Sequence, residues 1–378
     1  MLAIALKMLT RNRGKYLAII AGVAFASLLI SLQCSIFCGL MRLTSSQIRD
    51  IKDAQIWVMD PNIQFVADFR PLSANAVYQV QGVKGVEWAV PFYKWITQAH
   101  MRTGTVQDVI LLGFDDATLV GSPREMIVGS VDDLRRPDAV VVDEVGFEIL
   151  WPGEPVAVGK VFELNERRAE VVGICRASKT FRTLPIVYTR YSQATAYVPP
   201  QRKLTSYVLA DVENGADPTE VCRRIQSQTG LLALTKEQFT WKTMMFYVNN
   251  TGIVANFGIT VLLGAVIGCA VTAHTFYSFT LNNLPQFGTL KAMGVRNGRL
   301  LSMIFSQGLL AGMVGFGIGL GQATFLCEWI NRKSHLISYT PWQVLVGTAI
   351  AVFTMVLAAS LLSAQRVLRL EPALVFHD

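Results

Sequence analysis

Three acidic doublets, Asp115-Asp116, Asp132-Asp133 and Asp143-Glu144, and four histidines at positions 100, 274, 335 and 377 are the residues that could do acid–base or metal chemistry. The doublets all follow strand-like runs and read as solvated turns, and a carboxylate-pair enzyme needs more than adjacency. The histidines are scattered, with no H-E-x-x-H, and no G-x-x-x-x-G-K-[ST] stands ready to cradle a nucleotide. The long apolar runs hold no pair of ionisable residues of the kind a proton relay needs. Their notable polar residues, Gln33 and Asn256, read as interhelical hydrogen bonders. Cys34, Cys38, Cys269 and Cys327 lie in or beside apolar runs and read as free buried thiols. Cys175 and Cys222 lie outside them, where an oxidising compartment would permit a disulfide. No catalytic or metal-ligating constellation emerges, so a non-catalytic chain that binds no cofactor of its own is expected.

The elements that carry these residues are mostly membrane spans. The chain has 378 residues, 52% hydrophobic and only 16% charged, against the ~25% charged of a soluble domain. The excess concentrates in four runs, Tyr16 to Leu40, Ile253 to Phe279, Leu300 to Leu326 and Trp342 to Ser363, none with a Lys, Arg, Asp or Glu. Each reaches the ~20 residues a helix needs to cross the hydrocarbon. The expected layout is a surface helix over 1–15, spans over 16–41, 253–279, 300–326 and 342–363, and an outer domain over 42–250. A loop over 280–299, a short external loop over 327–341 and a tail over 364–378 complete it. Residues 1–15 read either as an amphipathic helix on the membrane surface or as an inward extension of span one.

Charge sets the orientation. Lys7, Arg11, Arg13 and Lys15 precede span one, and Lys291, Arg296 and Arg299 fill the 280–299 loop without an acid. Short basic loops stay in the cytoplasm, which puts both termini and this loop inside. Residues 43–250 hold 22 Lys+Arg and 24 Asp+Glu, and the rest 12 and 3, so the net +7 is a topology signal rather than a nucleic-acid footprint.

The outer segment reads as an α+β domain. AQIWVMD (54–60) alternates like a strand, Ser73 caps a short helix, and VEWAVPFYKWITQAH (86–100) returns as a strand. SYVLADV (206–212), a helix opened by Asp217-Pro218, and LLALT (231–235) repeat the pattern. Residues 101–200 are β-rich, which suggests one subdomain split by an inserted one. From Lys236 the chain is helix-compatible into span two, as a helical stalk would be.

Two features remain. Span three pairs Gly308 with Gly312, Gly315 with Gly319 and Gly317 with Gly321, each four apart, the spacing that lets helix backbones approach closely. Between spans two and three lies LPQFGTLKAMGVRNGRL (284–300). Pro285 suits a helix start, Gly294 a helix end, and Leu284, Phe287, Leu290 and Met293 recur on one face. A two-turn helix is unstable alone, so lipid or another protein is expected to bury that face.

QFGTLKAMGVRNGRLLSMIFSQGLLAGMVGFGIGLG resembles the FtsX/MacB-type (type VII) ABC transporter permeases, and AQRVLRLEPALVF is similar to their C-terminal pattern. GVAFASLLISLQ, ILLGFD and RRPDAVVVDE look like the DevC branch, as does Gln286 where much of the family has Glu. The resemblance implies four transmembrane helices plus a large extracytoplasmic α+β domain of MacB-like type, a porter-like subdomain with a β-rich insert. It implies a permease in the bacterial inner membrane, working as two copies on a separate cytoplasmic ABC ATPase that carries the ATP and Mg. Leu284, Pro285, Gln286, Phe287, Gly288, Leu290, Lys291, Met293 and Gly294 would form the coupling helix. On this reading Phe287, Leu290 and Met293 fill a groove on the ATPase, and Lys291 sits at its rim. Further implied partners are a periplasmic membrane-fusion protein, an outer-membrane duct and membrane lipid, with export of lipid, glycolipid or other envelope material as the task. The alternative within the family is FtsX-like transmission of motion to a cell-wall hydrolase without transport.

Overall fold

The computed structural model describes residues 13–123, 125–199, 204–333 and 337–368. Most of the expected surface helix over 1–15, and the tail beyond 368, lie outside them. The first helix, α1, runs Arg13–Thr44, about one turn longer at each end than its apolar run. The chain divides into two compact units, one of Met41–Thr251 and one of the helices before and after it.

Within Met41–Thr251, α2 (Ser46–Asp50) leads to β1 (Ile56–Met59), α3 (Ala76–Gln81), β2 (Val86–His100), β3 (Val106–Phe114) and β4 (Met126–Val128). Then come β5 (Ala139–Asp143), α4 (Glu144–Leu150), β6 (Val161–Leu164), β7 (Arg167–Cys175), β8 (Ile186–Arg190) and α5 (Tyr191–Ala196). The unit closes with β9 (Tyr207–Val212), α6 (Pro218–Thr229), β10 (Leu232–Thr235) and α7 (Lys236–Asn250).

The two outlying β-α-β runs form one antiparallel sheet in the order β10-β1-β9-β2, a split β-α-β arrangement. Strand alternation sends Ile56, Val58, Val208 and Ala210 to the face covered by α3 and α6, through Val80, Val221 and Ile225. Trp57, Met59, Tyr207 and Leu209 point the other way, where Phe239 of α7 joins them. Asp217 caps α6 by accepting from the Thr219 amide at 3.1 Å. The cap of α3 is Asn75 rather than Ser73, whose carbonyl instead accepts the Ala76 amide in the preceding turn.

The inserted segment closes on itself. After Phe92, β2 leaves β9 and pairs with β3, and the pairings β3–β8, β8–β5, β5–β7, β7–β6 and β6–β2 complete a ring. A closed ring leaves no free edges among its strands. Val109, Leu111, Val140, Val142, Phe162, Leu164, Val171 and Val187 share its core, while the alternate residues Ile110, Leu112, Val141 and Tyr188 join the cluster that holds Trp57.

Asp143 is not a solvated turn residue. It is buried and caps α4, accepting from the Gly146 amide at 3.1 Å and from the Ile186 amide of β8 at 2.6 Å. Burial pushes its carboxyl up to about 6 against those two hydrogen bonds. Cys175 and Cys222 are unbonded and lie in separate cores. The expected continuous stalk is broken: α7 ends at Thr251 in extended conformation, and Gly252 opens a new helix.

That helix, α8 (Ile253–Asn282), is followed by α9 (Leu284–Ala292), α10 (Asn297–Lys333) and α11 (Trp342–Leu368). Together with α1, four helices are long and apolar enough to cross a membrane.

One residue of β2 runs against its surroundings. Lys94 lies just past the point where the strand changes sheets, 2% exposed, in a run of apolar side chains. Ser206 Oγ holds its backbone, accepting from the Lys94 amide at 3.1 Å and donating to its carbonyl at 2.9 Å. The ammonium donates to the Val66 carbonyl at 2.7 Å, and burial lowers its pKa to about 7. Between that value and the ~10.4 of an exposed lysine, the unfolded chain binds the extra proton. Stability therefore rises with pH through this window, by at most ~1.4 kcal/mol per pH unit. Denaturant titrations between pH 6 and 10 should show this rise, and Lys94→Met should flatten it and raise stability at pH 6.

Candidate functional site

The sequence places the candidate machinery in α9 and in the glycines of α10. Pro285 occupies the first turn of α9, where its missing N–H forfeits no helical bond. Asn283 starts the helix through its carbonyl, which accepts the Phe287 amide at 3.1 Å. At the other end Gly294 takes a φ of +86°. Its amide bonds the Lys291 carbonyl at 3.0 Å, and the Val295 amide reaches back to the Leu290 carbonyl at 3.1 Å. These two bonds make a Schellman terminus, and only glycine enters that left-handed position without steric cost.

The face expected to await a partner is largely covered by the chain itself. Phe287 is 1% exposed and packs in a cluster with Ile19, Phe276, Phe279, Leu300 and Ile304. Gly288 is buried too, and Leu284 and Leu290 pack against the cluster. Phe287 is thus turned into the chain's own core, and Leu290 is half-buried against it. Met293 departs from them: beyond the last helical residue it is 69% exposed, and Val295 takes the place against the core. Gln286 and Lys291 are half-buried. The open face consists of Pro285, Thr289 and Ala292 of α9, with Met293 just beyond its end at i+8 from Pro285. Lys15, near the start of α1, donates to Ser278 Oγ at 3.0 Å and to the Ser278 carbonyl at 3.2 Å, near the end of α8.

The α10 glycines sort by direction. A Cβ on Gly315 would lie 2.7 Å from Val23 Cβ and 3.0 Å from the Ile20 carbonyl oxygen. One on Gly319 would strike the Ala24 carbonyl oxygen and lie 2.7 Å from Ser27 Cβ. These two let α1 lie backbone-close to α10. Gly308 and Gly312 face α11, where a Cβ would meet Ser360 and Val356 respectively. Gly317 and Gly321 have nothing within 4 Å. Gly268 of α8 meets Ala26 from the other side, so α1 is held between α8 and α10. Among the described residues, side-chain hydrogen bonds between these helices come from Lys15, Ser27, Thr280 and Ser363 rather than Gln33 or Asn256.

Two family models match the chain. Residues 16–228, more than half of it, match the MacB-like periplasmic core domain, and residues 258–372 match the FtsX-like permease C-terminal. HrtB of Staphylococcus haemolyticus, named as a hemin transport system permease protein, is 34% identical over 109 residues. That match spans 28% of this chain and only 30% of HrtB. The periplasmic region of MacB from Actinobacillus actinomycetemcomitans aligns at 14% identity and TM-score 0.39, over 54% of this chain and 96% of that one. The extracellular domain of the noncanonic ABC-type transporter YknZ from Gram-positive bacteria aligns at 14% identity and TM-score 0.35, over 48% and 98%.

The two interleaved glycine pairs should respond oppositely to a methyl group. Gly319→Ala should destabilise the solubilised protein by ~1–3 kcal/mol, as overpacking does. Gly321→Ala should be neutral or stabilising by up to ~1 kcal/mol through helix propensity. Thermal unfolding monitored by size-exclusion chromatography separates the two.

Proposed function

Because the chain belongs to the FtsX-like permeases with a MacB-like periplasmic core domain, a family of ABC transporter permeases, we propose that it transmits the motion of a separate cytoplasmic ATPase through α9 to its periplasmic domain. The observation that carries this reading is the two-sidedness of α9. Its inner face is fixed in the membrane core by Phe287, and its outer face, Pro285, Thr289 and Met293, stands open. A displacement of the outer face would then act on the core cluster to which Phe287 belongs, whose other members come from α1, α8, α10 and α11. A short helix hinged at both ends and free of the core would absorb the same push.

The acid-free loop that holds α9, with Arg296 and Arg299 exposed, supports a cytoplasmic location for it and for both termini. The ATP and Mg then belong to the ATPase, and this subunit performs no hydrolysis. The resemblance to the DevC branch supports export of lipid, glycolipid or other envelope material. It also supports work in pairs beside a membrane-fusion protein and an outer-membrane duct. The name of the Staphylococcus relative adds hemin to the cargoes worth assaying.

The test uses the permease co-purified with its ATPase in nanodiscs. Met293→Asp combined with Thr289→Arg should lower permease-dependent ATP hydrolysis at least fivefold and weaken co-purification, leaving the permease's own melting temperature unchanged. Phe287→Asp should instead lower that melting temperature, because it buries a carboxylate in an apolar core. Full coupling in the Met293–Thr289 double variant would refute the assignment of the outer face.

A further inference from the structure

Beside Lys94 lies a small cavity with an unusual set of polar groups. Lys94, Ser46, Gln47 and Arg182 line it, and no Asp or Glu does. Among the described residues the Lys94 ammonium has one hydrogen-bond acceptor, the Val66 carbonyl, and a cation–π contact with the Phe69 ring at 5.8 Å to its centroid, which leaves its remaining N–H donors without an oxygen partner. Gln47 Nε2 and Ser46 Oγ are buried with no hydrogen-bond partner. An unmatched buried donor is destabilising, and a buried cation without an acid more so. Three buried groups with hydrogens to give, and two cations, the exposed Arg182 among them, line a cavity whose side-chain acceptors include the Thr44 and Thr180 hydroxyls but no carboxylate.

The rest of the lining is mostly apolar, with Leu43, Phe69, Ile96, Phe181 and Tyr247 beside the hydroxyls of Thr44 and Thr180. Two of the rings pair, Phe181 with Tyr247 at 5.0 Å between centroids. Burial pushes the Tyr247 hydroxyl up, and the nearby Arg182 guanidinium holds it down. Some 40 Å³ is open to the centres of water-sized groups. At ~10–15 Å³ for each such group, this is room for about three, the scale of a phosphate or carboxylate head without its chain. Leu43 and Thr44 are the last residues of α1, a helix long and apolar enough to cross a membrane.

We propose that this cavity binds the anionic headgroup of a membrane amphiphile. Its acidic oxygens accept from Lys94, Gln47, Ser46 and Arg182, and its chain leaves across Phe181 and Tyr247. The ligand supplies the acceptors that the fold withholds. This goes beyond energy coupling through α9 and requires no ATPase, so it stands or falls separately from that reading.

The test titrates the full-length protein, in micelles of a neutral detergent, with dodecyl phosphate below its micellar concentration, and in parallel with dodecanol and inorganic phosphate. Calorimetry should show saturable binding of dodecyl phosphate, at least tenfold weaker binding of inorganic phosphate, and none of dodecanol. Lys94→Met should weaken dodecyl phosphate binding at least tenfold, and Gln47→Leu severalfold. Gln47→Leu removes a buried donor without a partner, and Lys94→Met removes a buried cation whose bond to the Val66 carbonyl is backed by that of Tyr207, so both should melt no lower than the parent, which shows that the loss is local. Equal affinity for dodecanol would overturn the proposal, as would unchanged binding in both variants. Inorganic phosphate binding as tightly as dodecyl phosphate would also overturn it, marking an adventitious ion only.

Discussion

Phe287 ties a short surface helix to the centre of the membrane unit. A nine-residue helix has too few hydrogen bonds to hold itself together in isolation. Burial of one aromatic ring and its leucine neighbours supplies what the backbone lacks, at roughly 1.5–3 kcal/mol per fully buried side chain. Once that ring is seated among Ile19, Phe276, Phe279 and Leu300, the helix moves with the spans. The glycine contacts extend the constraint. Gly268 and Gly319 bring α8 and α10 against the backbone of α1, so the helices share close contacts that cannot slide independently without steric cost.

Much of this was legible in the residues. The four spans follow from length and hydropathy, and the two β-α-β runs from alternation and from Asp217-Pro218, because those signals are local. The closed ring of strands was not legible. Its strands could be read one at a time, but pairing β6 with the end of β2 joins residues about sixty apart and depends on how β2 bends between sheets. Asp143 was misread for a related reason. An acid after a strand resembles a turn until β8 arrives to offer the Ile186 amide.

The α9 segment shows where periodicity stops informing. The i, i+3 spacing of Leu284, Phe287 and Leu290 correctly marks one face, but spacing does not say who covers it, and the cover comes from helices on both sides in sequence. Met293 extends the pattern by count and leaves it in space, because Gly294 turns the chain and Val295 replaces it. The glycines of α10 carry the same lesson. Gly315 and Gly317 are two apart, nearly opposite on a helix, so of two identical spacings one faces α1 and the other has no neighbour within 4 Å among the described residues. Lys94 leaves a signal in the sequence, a single Lys or Arg inside a long, largely apolar strand.

The central claim is that α9 meets its ATPase with its outer face while its inner face belongs to the permease. Site-specific photo-crosslinking in membranes tests it most directly, with a benzophenone side chain placed at position 293 or at position 287. The account predicts crosslinks to the ATPase from position 293 and crosslinks only within the permease from position 287. Crosslinks to the ATPase from position 287, with none from position 293, would contradict it.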